Sequence, residues 1–310
     1  MTSVTLAPSR VAAIRRALLG WYEAHGEAFP WRHARSPYWA LVAGVCSQQT
    51  QMSRVLPLWQ RWVEAFPDIE ALARADTATV LRVWERAGYP RRALALREAA
   101  RICVALHGGA LPRDPQALLA LPGVGPFTTA IVQCFGFEDS ASAVDTNVIR
   151  VLGRLVYGDV QPAAETPHAD IDATAARLLP HGNAGPWNAT LMEYGAKVCT
   201  PRPHCQACVV HRLCAARPRF EAGAVAAPIR AQGRFAGSDR QWRGRIMRAL
   251  RDADGPLRTP AFVRALASDE AERATVRRLL AALCAEGFAW SRSGRCGLGD
   301  PPSAIISCDA

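Results

Sequence analysis

From Val11 to Pro218 the apolar positions recur at helical spacing almost throughout, and no alternating strand pattern of any length interrupts them. Arg92 to Leu106 carries Leu94, Leu96, Ala99, Ile102, Cys103 and Leu106 on such a stripe, which Gly108-Gly109 stops. Leu81 and Trp84 mark a shorter helix that ends at Ala87-Gly88. Pro115 to Ala120 and Pro126 to Phe137 read as two helices joined by Leu121-Pro122-Gly123-Val124-Gly125, with Pro126 suited to the first helical position. The pattern predicts an all-α body over residues 1–220. Residues 221–235 are rich in Ala and Gly, lack an amphipathic face and predict a linker. Beyond them, Asp239 to Asp252 predicts a basic amphipathic helix, Thr259-Pro260 opens another, and Asp269 to Glu286 forms a longer one. Phe288-Ala289-Trp290 and Cys296-Gly297-Leu298 flank Ser-Arg-Ser-Gly-Arg as in a short β-hairpin. Three helices and a hairpin over 236–300 are the order of a small α+β, winged-helix-like module. A helical cap that only packs on the first domain fits the same pattern. Residues 301–310 are left as a tail.

The length, 310 residues, allows two domains and a sizeable core, and with half the residues hydrophobic the chain is globular rather than disordered. Lys and Arg number 37 against 27 acids, for a formal net charge of +10, which suits a polyanionic partner. The opening residues lack the apolar core of a secretory signal and no run is long enough to cross a bilayer, so the expectation is a cytoplasmic protein with no membrane partner. Ten cysteines in a reducing compartment do not make a disulfide framework.

Two local features carry chemistry. In the Pro-Gly-Val-Gly turn, backbone N–H groups are exposed at a helix N-terminus, where the macrodipole favours an anion such as a DNA phosphate; Gly123, Val124, Gly125 and Thr128 are the residues placed to grip one. Twenty residues after Gly125 stands Asp145, in Val-Asp-Thr-Asn, either a carboxylate poised over the same strand or a plain helix N-cap. Separately, Cys199, Cys205, Cys208 and Cys214 are spaced C-x5-C-x2-C-x5-C. Four thiolates in one loop can enclose a tetrahedral zinc or a [4Fe–4S] cluster, and one close pair with two outlying ligands suits the cubane better. The loop carries Arg202 and Arg212 and no acid from Cys199 to Arg219, as a phosphate-facing surface or a solvated basic loop would.

The order of these motifs resembles the helix-hairpin-helix DNA glycosylases that include endonuclease III, and within them the adenine DNA glycosylase (MutY) branch. Phe29-Pro30-Trp31-Arg32, Gln48-Gln49-Thr50-Gln51, Ala87-Gly88-Tyr89 and Leu191-Met192-Glu193-Tyr194-Gly195-Ala196 stand in the order of that branch, over about residues 11–218. The resemblance implies two α-helical subdomains with a DNA cleft between them, a [4Fe–4S] cluster on the four cysteines, and double-stranded DNA with a mismatched or damaged base as partner, met by a monomer. It implies base flipping and hydrolysis of the N-glycosidic bond, with Asp145 as the carboxylate beside the sugar. Gln48, Gln49, Tyr89 and Asn147 match positions around the space the flipped base leaves.

Four departures qualify this. Where bifunctional members carry a Schiff-base lysine stands Phe127, so no strand cleavage is expected. Where MutY-type enzymes carry the glutamate that protonates adenine stands Gly44, and losing a general acid costs a factor of about 10²–10⁴. Residues 236–300 are too short for the Nudix-like domain that reads 8-oxoguanine, and the first cysteine gap is one residue short. The expectation is a monofunctional glycosylase removing adenine from A·G or A·8-oxoG. Uracil, thymine or damaged-base removal, and a non-catalytic DNA-binding homologue, are the alternatives.

Overall fold

The computed structural model describes residues 6–85, 87–226 and 234–302. Two compact units emerge, each assembled from two separated stretches: Met1–Gln48 with Leu111–Ile229, and Gln49–Ala110 with Arg230–Ala310. In chain order, the first unit opens with α1 (Pro8–His25) and α2 (Pro37–Ser47). The second unit begins with α3 (Met52–Ala65), α4 (Ile69–Arg74), α5 (Thr77–Trp84) and α6 (Arg91–Leu106). The chain then returns to the first unit with α7 (Pro115–Leu119), α8 (Pro126–Ile131), α9 (Thr146–Leu152), α10 (Pro162–Glu165), α11 (His168–Leu178), α12 (Ala184–Lys197) and α13 (Arg217–Glu221). It closes the second unit with α14 (Asp239–Arg251), β1 (Leu257–Arg258), α15 (Thr259–Leu266), α16 (Glu270–Ala285), β2 (Ala289–Arg292) and β3 (Arg295–Leu298).

The helical stripes become the cores. In the first unit α2 is apolar all round, and its residues from Ala40 to Cys46 are buried, as expected of a central helix. Val148, Ile149, Val151 and Leu152 of α9 pack with Trp187, Leu191 and Tyr194 of α12 and with Ile14 and Leu18 of α1. The helices start where short polar side chains can hold the first amides: Ser36, Asp68, Asp76, Asp114, Asp145, Ser238 and Asp269 all accept N-cap hydrogen bonds. The second arm of the hairpin is shorter than its pattern predicts, because α8 gives way to a wider π-turn over Val132–Gly136; a second π-turn, Gly153–Tyr157, follows α9.

In the second unit α14, α15 and α16 with a three-stranded antiparallel sheet in the order β1-β3-β2 make the winged-helix arrangement. β1, only two residues long, gave no pattern in the sequence. The module also packs on α5: Leu81 belongs to its core with Trp242, Ile246 and Leu250 of α14, and Ala78 and Leu94 lie against that core. Thr77 Oγ1 donates to Asp300 Oδ2 (2.5 Å), and Arg251 Nη1 donates to the Glu85 carbonyl (2.7 Å). Only the first residue of the expected linker, Glu221, belongs to α13, while residues 227–233 and the tail from 303 lie outside the described residues.

Gly299 is the tightest point of this docking. Its φ is +70°, and a Cβ there would stand 2.6 Å from the Ala78 amide nitrogen. Gly299→Ala therefore strains the backbone and pushes on α5 together, at an expected cost of about 2 kcal/mol. Thermal denaturation should show a midpoint lower by roughly 4–8 °C. An unchanged midpoint would mean the approach is not needed.

Candidate active site and cysteine loop

Asp145 sits at the N-cap of α9, one of the two roles the sequence allowed. Its Oδ1 accepts from the Asn147 and Val148 amides (2.8 Å each), and its Oδ2 accepts from Asn147 Nδ2 (2.8 Å). Burial raises the carboxyl above its ordinary range, and the three hydrogen bonds, with Arg150 nearby, pull it partly back. The result is a carboxylate kept desolvated yet fixed in direction.

Asn147 is held in turn by Arg150, whose Nη2 donates to Asn147 Oδ1 (2.7 Å) and to the Gly195 carbonyl (2.7 Å). Arg150 Nε donates to the Cys199 carbonyl (2.6 Å). One guanidinium therefore ties the Asp145 cap, α12 and the first cysteine of the loop together. Gly195 makes this possible: a Cβ on it would lie 2.6 Å from Asn147 Cβ and 2.9 Å from the Asn147 carbonyl oxygen. Two residues earlier, Glu193 forms a buried ion pair with Arg32, which also lies over the Phe29 ring (4.8 Å). Lys197 Nζ (3.1 Å) and the Glu27 amide (3.1 Å) complete the shell of Glu193. Phe29-Pro30-Trp31-Arg32 and Leu191-Met192-Glu193-Tyr194-Gly195-Ala196, apart in sequence, are here two sides of one contact.

The hairpin lies in the same unit. Gly123 takes φ +77°, Val124 is buried, and the amides of Gly123 and Gly125 donate to no protein acceptor among the described residues. Gln48 Nε2 anchors the turn by donating to the Gly123 carbonyl and to Thr128 Oγ1 (3.2 Å each). Thr128 is buried, so any phosphate contact from it falls to its backbone. Gly44 is buried in α2, where a Cβ would meet Thr128 Cγ2 at 3.1 Å and Ile131 Cγ2 at 3.5 Å. A side chain at position 44 would therefore press on the Thr128 methyl. Phe127 packs at the edge of the Ala130–Phe135 core and brings no amine.

Gln49 and Tyr89 belong to the second unit, both with left-handed backbones (φ +53° and +46°) that are uncommon away from glycine. Tyr89 is 56% exposed, on a loop braced by Arg92, which donates to the Ala87 and Gly88 carbonyls (3.2 Å each) and lies over the rings of Trp84 and Tyr89.

The four cysteines follow a local repeat: Cys208 and Cys214 each cap a 3-10 turn, Cys205–Ala207 and His211–Leu213. Cys199, Cys208 and Cys214 pack against the α9–α12 core. Burial raises the Cys199 thiol and takes that of Cys214 to about 11, with further upward pushes from the neighbouring cysteines. Among the described residues no group of three or more His, Cys, Asp or Glu side chains is gathered as a metal ion requires. Four cysteine thiols on one loop are a donor set of the kind that zinc sites and iron–sulfur clusters both take.

Arg154, overlooked in the sequence, holds the loop from beneath. Only 2% exposed, it donates to the carbonyls of Thr200 (2.6 Å), Pro201 (3.1 Å) and Val160 (3.3 Å). Arg150 and Arg154 lie four apart on an otherwise apolar helix, and that was the available signal. Arg202 and Arg212 remain exposed on the loop.

Gly195→Ala, a change of one methyl, meets backbone at Asn147 and should lower stability by about 1–3 kcal/mol, read as a lower thermal midpoint. A midpoint equal to that of the parent would show that α9 and α12 have slack.

Residues 42–170 match the HhH-GPD superfamily base excision DNA repair protein family. The chain is 41% identical over 258 residues to an adenine DNA glycosylase of Mycolicibacterium smegmatis, covering 83% of this chain and 86% of that one. It is 32% identical to a thymine/uracil-DNA glycosylase of Methanothermobacter thermautotrophicus, over 60% of this chain and 85% of the other. A solved thermostable thymine-DNA glycosylase superposes with a TM-score of 0.63 at 29% identity, covering 68% of this chain and 98% of that chain. A non-covalent endonuclease III–DNA complex shares the fold, with a TM-score of 0.61 at 21% identity over 70% of this chain. With its Asp145 cap, glycine hairpin and cysteine loop set in that frame, the chain belongs to the HhH-GPD superfamily and is a MutY-like DNA glycosylase.

Proposed function

We propose that this glycosylase releases adenine mispaired with guanine or 8-oxoguanine, without cleaving the strand. The observation that carries the chemistry is the buried, triply hydrogen-bonded Asp145. Breaking the glycosidic bond leaves positive charge on the sugar, and a desolvated carboxylate with a fixed direction opposes that charge far better than one in water. Support for adenine comes from relatives named adenine DNA glycosylase at 40–41% identity over 83% of the chain. Phe127 supplies no nucleophilic amine, so water takes the place of the departing base on the sugar, and the product is an abasic site. Gln49 and Tyr89 are assigned to the space vacated by the flipped base, and the Gly123–Gly125 turn, Arg202 and Arg212 to phosphates.

Cys199, Cys205, Cys208 and Cys214 are assigned to a [4Fe–4S] cluster, which would cross-link the loop. Arg154 and the Tyr194 hydroxyl, 3.0 Å from Cys208 Sγ, orient its protein side, and Arg150 transmits the loop position to Asp145.

Gly44 favours a second reading. Adenine departs poorly without a proton, whereas uracil and thymine leave as stabilised anions, and a side chain at position 44 has to displace the Thr128 methyl. Duplexes containing A·8-oxoG, A·G, U·G and T·G, treated with alkali after reaction, separate the readings. Adenine release with pyrimidines untouched is expected; pyrimidine release alone would replace the adenine assignment, and nicking without alkali would end the monofunctional one.

Asp145→Asn keeps an N-cap oxygen and removes the charge. Single-turnover base release should fall by about 10²–10³ or more while the thermal midpoint holds or rises, because the ionised buried carboxylate was itself costly. An active variant would dismiss Asp145 as the catalytic group. The carboxylate works ionised, so activity should fall as pH drops through a value above the ordinary carboxylate range. Asn147→Ala removes a hydrogen bond that lowers this value, and should move the acid limb to still higher pH. A limb that stays in place would break the link to Asp145.

A further inference from the structure

The second unit contains a basic groove that starts at the Tyr89 loop and continues along α14. It has a volume of about 1240 Å³ and lies between α14 and the turn from Gly88 to Arg91, lined by seven arginines against two acids, Glu85 and Glu286. Both acids are already neutralised: Glu286 receives a bidentate pair from Arg243 (2.7 and 2.8 Å), and Glu85 is paired with Arg61 (3.1 Å). The positive excess of the groove therefore faces outward.

That excess is arranged along one helix face. Arg240, Gly244, Arg248 and Arg251 recur at helical spacing, opposite the buried Trp242, Ile246 and Leu250. Arg248 makes no ion pair among the described residues, nor does Arg54 across the groove. Phe235, 53% exposed, stands at the end of this face with the Arg240 guanidinium 5.1 Å above its ring.

Gly244 points the same way. A glycine inside a helix costs about 1 kcal/mol relative to alanine, and no protein atom lies within 4 Å of where its Cβ would be. Nothing in the chain's own packing requires it. It leaves a flat, side-chain-free step between Arg240 and Arg248, where another backbone can come close.

The helix that a winged-helix fold ordinarily lays in a DNA groove is here α16, and its charges are tied up internally. Arg273 and Arg277 pair with Glu270 (3.3 and 2.7 Å), and Arg278 pairs with Asp239 (2.7 Å). On the exposed face of α14, by contrast, Arg248 has no ion pair among the described residues.

We propose that the α14 groove holds the sugar–phosphate backbone of duplex DNA, with Arg240 and Arg248 on phosphates and Gly244 admitting the chain between them. The winged-helix module thereby serves as a second DNA grip that uses its first helix in place of its third. This rests on the reading that the protein acts on duplex DNA, and it concerns affinity, not the bond broken.

The full-length protein, titrated by anisotropy with a labelled 30-base-pair duplex at several salt concentrations, tests it. Removing one arginine from a phosphate reduces the slope of log Kd against log salt by about 1, so Arg240→Gln with Arg248→Gln should reduce it by roughly 2. Arg277→Gln with Arg278→Gln should leave it unchanged. Gly244→Leu gives a readout that misfolding cannot imitate: improved helix propensity holds or raises the thermal midpoint while affinity drops several-fold. Single-turnover base release at saturating enzyme should persist in all three variants. An unchanged slope in the α14 variant, or a reduced slope in the α16 variant, overturns the assignment while leaving the glycosylase intact. A parent protein that neither binds the duplex nor releases a base would instead defeat the reading beneath it.

Discussion

A methyl group at position 195 would lie 2.6 Å from Asn147 Cβ, and the geometry of the first unit's site follows from its absence. With hydrogen there, the start of α9 seats directly on α12. The Gly195 carbonyl then comes within 2.7 Å of Arg150, which also reaches Asn147 and the first cysteine of the loop. Asp145 takes its direction from that arrangement, because two of its three hydrogen bonds come from Asn147. The Arg32–Glu193 pair fixes the other side of α12, so the helix cannot rotate away from the contact. A buried pair of this kind adds little net stability, and its value here is register.

The proposed chemistry rests on one carboxylate. Gly44 brings no side chain that could donate a proton, and Phe127 brings a ring and no amine. What is left is an anion kept in poor solvent by burial and kept anionic by a helix N-terminus and an amide. These opposing influences are the usual way a protein makes a charge reactive without losing it. A hairpin with two unclaimed amides offers phosphate binding in the same unit by the same physics: backbone dipoles fixed in place before the partner arrives.

Local patterns in the sequence were legible because their causes are local. Cysteine spacing, the Pro-Gly-Val-Gly turn, the Asp145 cap and the helix–helix–helix–hairpin order each depend on residues a few positions apart, and each has its counterpart in the structure. Arg150 and Arg154 were passed over because a polar head at an apolar stripe reads as noise until the carbonyls it meets, some 45 residues away, are in view. The π-turns after α8 and α9 escape for a related reason, since each shifts the apolar stripe once over only five residues, too short a stretch for the period to register. Periodicity also says nothing about interleaving. That residues 49–110 form a unit with residues beyond 230 depends on complementary surfaces, centred on Leu81, that share no sequence signature.

Interleaving has a consequence for biosynthesis. A chain emerging from the ribosome exposes α5 long before α14 and β3 exist to cover it, and more than a hundred residues of the other unit are made in between. Leu81, Ala78 and Leu94 must wait as an open apolar patch during that interval, the situation in which nascent chains associate wrongly or recruit chaperones. Ribosomes stalling between α13 and α14 would release a polypeptide with Asp145 and all four loop cysteines in place but with this patch uncovered. The winged-helix module therefore governs the yield of soluble protein as well as its grip on DNA, and rare-codon placement or chaperone supply will act through it.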